Sequence, residues 1–248
     1  MRTLLLLTLL LIGCGLSQAA IARVGSPTQC DGLGITTSLS CAKTVTTGNA
    51  IVVGCSSYHS TVTSTSVTDG LNTYTQARAH KGTFLLVGIY AATNITGGAL
   101  TFTCNFSASL APNQAAFMVV NEYSGMATSS FVDAVNSAVG TSATMSPGAI
   151  TTTASGDLVY SMCSVDVPSG TDTFTAATNY TLQGNQGDSS KSDGVSEDRI
   201  LTGTSTETAS ITDSTGSRDF TCAVASFKAA GGGGGSAPIM RRVITLGD

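Results

Sequence analysis

The chain has no tryptophan, only two histidines and only five prolines among 248 residues. Charge is scarce too: Asp, Glu, Lys and Arg make up 10% of it, against roughly 25% in typical soluble domains. Each shortage removes a class of function. Nucleic-acid binding needs a Lys/Arg stripe to displace counterions, and no basic cluster stands out, so no nucleic acid is expected as a partner. Cys55 and His59 have a Cys/His spacing, but no second pair completes a tetrahedral zinc site. No Gly-x-Ser-x-Gly elbow marks a serine nucleophile. The longest uncharged apolar run, residues 4–12, is too short for a membrane helix, so no transmembrane span is expected.

What remains is rich in Gly, Ser, Thr and β-branched residues, which suits extended strands joined by tight turns and makes poor helix. One motif occurs twice, at residues 44–55 and 152–163. Each copy is a polar lead-in, a turn at Gly48 or Gly156, and an apolar run ending in Cys55 or Cys163. Such runs predict strands buried on both faces, here about residues 50–58 and 157–165. Leu100, Phe102, Cys104 and Phe106 alternate with polar residues, which predicts a strand with one buried face. Residues 35–41, 83–91, 115–123 and 219–228 also predict strands, with 195–202 and 207–212 as outer ones. Residues 23–34 and 184–194 read as loops, and Asp69-Gly70 as a turn between two strands. The expected fold class is an all-β, antiparallel β-sandwich of two loosely repeated halves, occupying residues 23–230 as one domain.

Residues 1–22 have the layout of a signal peptide: Arg2, an apolar stretch, then small residues. Ser17-Gln18-Ala19 and Ala20-Ile21-Ala22 are the two cleavage motifs. Leu11-Ile12-Gly13-Cys14 also matches a short lipobox, so either Cys14 is discarded or it carries a lipid. The expected location is therefore secreted or cell-surface. Residues 231–248 form a glycine-rich linker and a short tail carrying Arg241-Arg242.

Beyond Cys14, six cysteines remain, an even number that predicts disulfides in an exported chain. Cys30–Cys41 is favoured by proximity. Cys55–Cys104 and Cys163–Cys222 are favoured because Phe-Thr-Cys recurs at residues 102–104 and 220–222. A competing register aligns Phe227 with Tyr123 and leaves Cys222 without a counterpart.

Candidate site residues are few. Asp188, Asp193, Glu197 and Asp198 form an acidic stretch that offers oxygen ligands to calcium, the one cofactor considered, although no spacing matches an EF-hand. Tyr74 and Tyr180 lie beside turns and are the candidates for a glycan platform. Glu122 follows an apolar run; a strand-end, water-facing position is the favoured reading, and it is the one acid to weigh against that for hydrolysis.

Laid in order, residues 48–53, 67–75, Glu122-Tyr123-Ser124-Gly125, Phe131-Val132-Asp133, Glu197-Asp198-Arg199-Ile200 and Ala225-Ser226-Phe227-Lys228 resemble a largely uncharacterised Ser/Thr/Gly-rich domain. That domain occurs in secreted and surface proteins of bacteria and in some phage proteins. The resemblance spans about residues 30–230 and implies a jelly-roll-like sandwich in an extracellular setting, with no established catalytic residues. The six cysteines depart from it. The expected function is a non-catalytic exported surface or structural module, an adhesin or a subunit of an extracellular assembly. Its partner would be a surface glycan, a protein or a second copy. The alternatives are a carbohydrate-binding module using Tyr74 and Tyr180, and a glycoside hydrolase using Glu122 or the Glu197/Asp198 pair.

Overall fold

The computed structural model describes residues 20–34, 37–63, 65–112, 114–167, 172–188 and 192–231. The first half of the chain forms β1 (Ala22–Arg23), β2 (Thr28–Leu33), β3 (Ser38–Val45), β4 (Ala50–Tyr58), β5 (Thr65–Thr68), β6 (Thr75–Lys81), β7 (Leu85–Ala92), β8 (Gly98–Phe106) and β9 (Ala115–Ser124). The second half forms β10 (Val132–Ser142), β11 (Thr144–Met145), β12 (Ile150–Thr151), β13 (Leu158–Asp166), β14 (Phe174–Thr175), β15 (Thr181–Asp188), β16 (Ser192–Ile200), β17 (Thr206–Glu207), β18 (Ile211–Asp213) and β19 (Arg218–Phe227). The described residues contain no helix.

The strands form two large antiparallel sheets and three small ones. The first large sheet has the order β1-β9-β4-β7-β6, with β2 also paired to β9. The second has the order β10-β19-β13-β16-β15. The small sheets are β3-β8-β5, β11-β18-β14 and β12-β17. Alternation along the central strands explains the stacking. On β4, Ile51, Val53 and Cys55 face the β3-β8-β5 sheet, where Leu39, Phe102 and Cys104 meet them. Ala50 and Val52 face the other way, into a core with Leu158, Tyr160 and Met162 of β13 and Ala223, Ala225 and Phe227 of β19. The outer face of the second large sheet is covered in turn. Cys163 and Val165 pack on Met145, Phe174 and Ile211, and Val159 and Val224 pack on Ile150. The sandwich therefore has one small sheet on the outer face of the first large sheet and two on that of the second, and both large sheets are buried on two sides.

The twice-occurring motif lands on β4 and β13, and each occupies the same place in its sheet. Both are central, β4 between β9 and β7, β13 between β19 and β16. Ala50 stands opposite Tyr123, and Leu158 opposite Phe227.

The close approach of the large sheets depends on missing side chains. A Cβ on Gly54 would lie 2.2 Å from Met162 Sδ, and one on Gly194 would lie 2.0 Å from Phe117 Cδ1. Large side chains of one sheet thus fill the places glycine leaves in the other.

Several sequence expectations need correction. Residues 28–33 are not loop but β2, and residues 184–194 contain most of β15 and the start of β16. Both edge strands are polar, so periodicity does not reveal them. Residues 195–200 do not form an outer strand, because β16 lies between β13 and β15. Residues 207–212 are divided between β17 and β18. Asp69-Gly70 does lie between two strands, β5 and β6, which belong to different sheets. The strands expected at 50–58, 100–107, 115–123 and 157–165 lie within a residue or two of their places. Residues 1–19, most of the signal peptide expected at residues 1–22 and including Cys14, and residues 232–248 lie outside the described residues.

Gly194→Ala should destabilise the fold by about 1–3 kcal/mol through overpacking against Phe117. Gly203→Ala, where a Cβ meets nothing within 4 Å, should stay within about 0.5 kcal/mol of the parent. Urea unfolding of the oxidised chain measures both.

Candidate functional site

Glu122 is buried on β9, not turned to water at a strand end. Its Oε1 accepts hydrogen bonds from the Thr46 amide at 2.9 Å and from Asn49 Nδ2 at 2.5 Å. The carboxylate thus braces the turn that leads into β4, where Gly48 has a φ of 87°.

The acidic stretch does not converge. Asp198 points between the two large sheets and has no solvent exposure. Arg23 Nε donates to both its oxygens, at 2.9 and 2.8 Å, and Arg23 Nη2 adds a further bond to Oδ1. Tyr123 Oη donates at 2.7 Å and Gln183 Nε2 at 2.8 Å. Burial raises the Tyr123 phenol well above its ordinary range, and the charge of Asp198 adds to that. Glu197, the next residue, points to the opposite face. Its Oε2 accepts the Ala177 amide at 2.7 Å. Burial pushes its carboxyl up to about 7. Asp193 shares the face of Glu197 but stands four residues away, about 13 Å along the strand. Asp188 ends β15, and its backbone pairs with Ser192. Among the described residues no group of three or more His, Cys, Asp or Glu side chains is placed to hold a metal ion.

The two tyrosines are not free platforms. Tyr74 donates to Asp69 Oδ2 at 2.9 Å and packs edge-on to Phe102, with ring centroids 6.4 Å apart. Asp69 also accepts the Leu71 and Asn72 amides. Burial alone would raise the Asp69 carboxyl, but these donors together with the side chains of Asn72 and Tyr74 hold it below its usual range. Tyr180 donates to Glu207 Oε2 at 3.0 Å, and Arg199 lies over its ring at 5.9 Å. Each ring is half-buried at the entry to an edge strand, with its hydroxyl spent on a carboxylate.

The six described cysteines form three bridges, Cys30–Cys41, Cys55–Cys104 and Cys163–Cys222. The second crosses from a large sheet to the small sheet above it. The third joins directly opposed residues of β13 and β19, with Cα atoms 4.1 Å apart. The repeated Phe-Thr-Cys therefore sits in unlike places. His59 Nδ1 is engaged by the Thr61 amide at 2.8 Å, and Cys55 is consumed by its bridge, so that spacing makes no ligand pair.

Two features had no signal in the sequence. The first is a carboxyl pair, Asp133 and Asp157, at the start of β10 and of β13. Asp133 accepts from the Thr153 amide at 2.6 Å and lies 3.4 Å from Lys228 Nζ. Asp157 is fully buried beside Asp133, and no hydrogen bond of ordinary geometry reaches either of its oxygens. Burial, followed by its contact with Asp133, pushes it up to about 7. Asp157 occupies the motif position where the first copy has Asn49.

The second is a cleft of about 230 Å³ between the β6–β7 turn and the start of β19, lined by Phe84, Val139, Thr141, Asp166, Asp219 and Phe220 among others. Phe84 is 46% exposed and Val139 52% exposed. The Phe84 ring stacks on Tyr58, with centroids 5.7 Å apart at an interplanar angle of 16°. Asp219 accepts a hydrogen bond from the Thr141 hydroxyl. Burial raises the Tyr58 phenol, and the charges of Asp166 and Asp219 raise it further.

Two predictions follow from the buried charges. Arg23→Met should cost about 3 kcal/mol, because it leaves the Asp198 carboxylate buried without its cation. Denaturant unfolding checks this at neutral pH. Asp157 and Glu197 have folded values above the unfolded range near 4, so both favour the protonated, folded chain at low pH. That contribution is complete below about pH 4 and is lost as pH rises through about 7. The midpoint of thermal unfolding should therefore fall between pH 5 and 8. The double variant Asp157→Asn/Glu197→Gln should flatten that fall, which a calorimetric pH series measures. No family model matches the chain, and neither the curated proteins nor the solved structures compared with it give a match.

Proposed function

We propose that the chain is a non-catalytic exported module, a structural subunit of the cell surface or of an extracellular assembly. One observation carries the reading: the acids a hydrolase would need are already consumed by the fold. Glu122 braces a turn, Asp198 is saturated by Arg23, Tyr123 and Gln183, and Glu197 lies under the small sheets with no solvent exposure. Three bridges across and within the layers support an oxidising compartment. Glycan binding through Tyr74 and Tyr180 is the weaker reading, because their hydroxyls and much of their ring surface are occupied. The resemblance to a jelly-roll-like surface domain is consistent with the proposal and adds no site to it.

The same reading selects a processing point. Ile21 is 3% exposed and packs in the core between the large sheets, and Arg23 clamps Asp198. Cleavage after Ala22 would remove Ile21, whereas cleavage after Ala19, or lipidation at Cys14, keeps both. Intact mass of the exported chain, alkylated without reduction, should give a start at or before Ala20 and no alkylated thiol in the folded part. A mature chain beginning at Arg23, or retention inside the cell with free thiols, would overturn the proposal.

A further inference from the structure

Asp133, Lys228 and Asp157 come together from three neighbouring strands of the second large sheet, which run in the order β10-β19-β13. Asp133 stands near the start of β10, Lys228 follows the last residue of β19, and Asp157 precedes the first residue of β13. The ladders align these ends. Phe227 lies opposite both Val132 and Leu158, and the Lys228 amide donates to the Phe131 carbonyl at 2.8 Å. Lys228 is thus the middle member, with a carboxyl group on the strand to either side.

The cluster holds more than an ion pair requires. Lys228 Nζ lies 3.4 Å from Asp133 Oδ1, and the Asp133 side chain is only 3% exposed. Asp133 Oδ2 accepts the Thr153 amide at 2.6 Å, and Oδ1 accepts the Thr153 hydroxyl. Asp157 has no solvent exposure and no hydrogen bond of ordinary geometry, yet it touches Asp133. One carboxylate suffices to neutralise Lys228. A second buried acid without a donor costs the fold free energy, and groups kept at such a cost gather where chemistry uses them. Burial and the contact with Asp133 raise the Asp157 carboxyl to about 7. Burial alone would raise Asp133 as well, but Thr153, Asp157 and Lys228 hold it below its usual range. Between the two acids the proton therefore rests on Asp157. An amine, an acyl carbon and a proton carrier stand in one buried cluster.

The geometry points to an intramolecular amide bond between Lys228 Nζ and Asp133 Cγ, formed within the folded chain with Asp157 carrying the protons. Nζ attacks Cγ while Asp157 gives its proton to a carboxyl oxygen of Asp133 and takes one from Nζ. The Thr153 amide, already aimed at Oδ2, stabilises the charge that develops there. Oδ1 then leaves Cγ as water. Of the three protons on the Lys228 ammonium, one stays on the amide nitrogen and two leave in that water. Asp157 ends protonated, as it began, and nothing is oxidised or reduced. Holding amine and carboxyl side by side makes the step effectively unimolecular. The linkage ties β10 to β19 and constrains the unfolded chain as a disulfide does, but no reductant cuts it. It needs no oxidant and so does not rest on the chain's being exported.

The test is the mass of the full, folded chain after reduction and alkylation. It should be lower by one water than its sequence requires. Peptide mapping separates this from dehydration at a single aspartate: the segments containing Asp133 and Lys228 should be recovered as one branched species, with no tryptic cut after Lys228. Lys228→Arg keeps the cation beside Asp133 but should restore the full mass, and so should Asp133→Ala. In a time course after a pulse of synthesis, Asp157→Asn should accumulate linked chain at least about tenfold more slowly than the parent. A folded parent of full mass that trypsin cuts after Lys228 overturns the proposal. So does a loss of water that persists in Lys228→Arg. Linkage at the parental rate in Asp157→Asn overturns the assignment of Asp157 as the proton carrier.

Discussion

Asp198 has no solvent exposure and holds the Arg23 cation between two sheets that otherwise meet through apolar side chains, glycine and the buried contact of Asn121 Nδ2 with Tyr160 Oη. Such a group is tolerable only when donors surround it. Its donors come from both sides of the interface. Arg23 and Tyr123 belong to the first large sheet, and Gln183 lies on β15 beside it in the second. Undocking the sheets would strip the carboxylate of its cation and one hydroxyl at once, before water could replace them. The interface is therefore held in one register by a polar requirement as well as by the fit of Met162 to Gly54 and Phe117 to Gly194. A one-residue slip along β16 would bring Glu197 into the apolar layer and turn Asp198 outward.

The parts of this arrangement that the sequence disclosed are those where burial is carried by local pattern. β4, β9 and β13 are apolar on both phases because sheets cover both faces, and β8 alternates because only one face is covered. The parts it concealed are those set by residues far apart in the chain. Glu122 finds Thr46 and Asn49 more than seventy positions away, and Arg23 finds Asp198 at a separation of 175. Nothing in either neighbourhood marks these pairs. The polar edge strands β2, β6 and β15 escape for another reason. An edge strand on a half-buried layer needs little apolar surface, and its composition matches that of a turn.

The bridges show how far internal likeness extends. β4 and β13 agree in their place within the sheet and in the aromatic residue opposite their first position, Tyr123 or Phe227, with Cys55 and Cys163 at matching points. The residue opposite Cys55 on β9 is Met118, and the residue opposite Cys163 on β19 is Cys222. In the first half the sulfur therefore has to turn outward to Cys104 in the small sheet, whereas in the second it closes across the ladder. The register that aligns Phe227 with Tyr123 is the one the strands follow, and Cys222 indeed lacks a cysteine counterpart there. The same substitution of role recurs at the turn before each strand. Glu122 with Asn49 braces the first; at the second, Asp157 stands where the first copy has Asn49, and burial together with its contact with Asp133 pushes its carboxyl up to about 7.

These constraints limit where any activity of the surface can lie. The faces of both large sheets are covered by other layers, and the buried acids serve turns and the interface. What remains chemically distinctive is at the ends of the strands, where layers stop at different lengths. The β6–β7 turn places the exposed Phe84 at one such end, where Asp166 and Asp219 line the same cleft. In a chain with so few charges, this end of the strands gathers two carboxylates beside an exposed aromatic ring, with Arg218 near enough for its charge to act on Asp166.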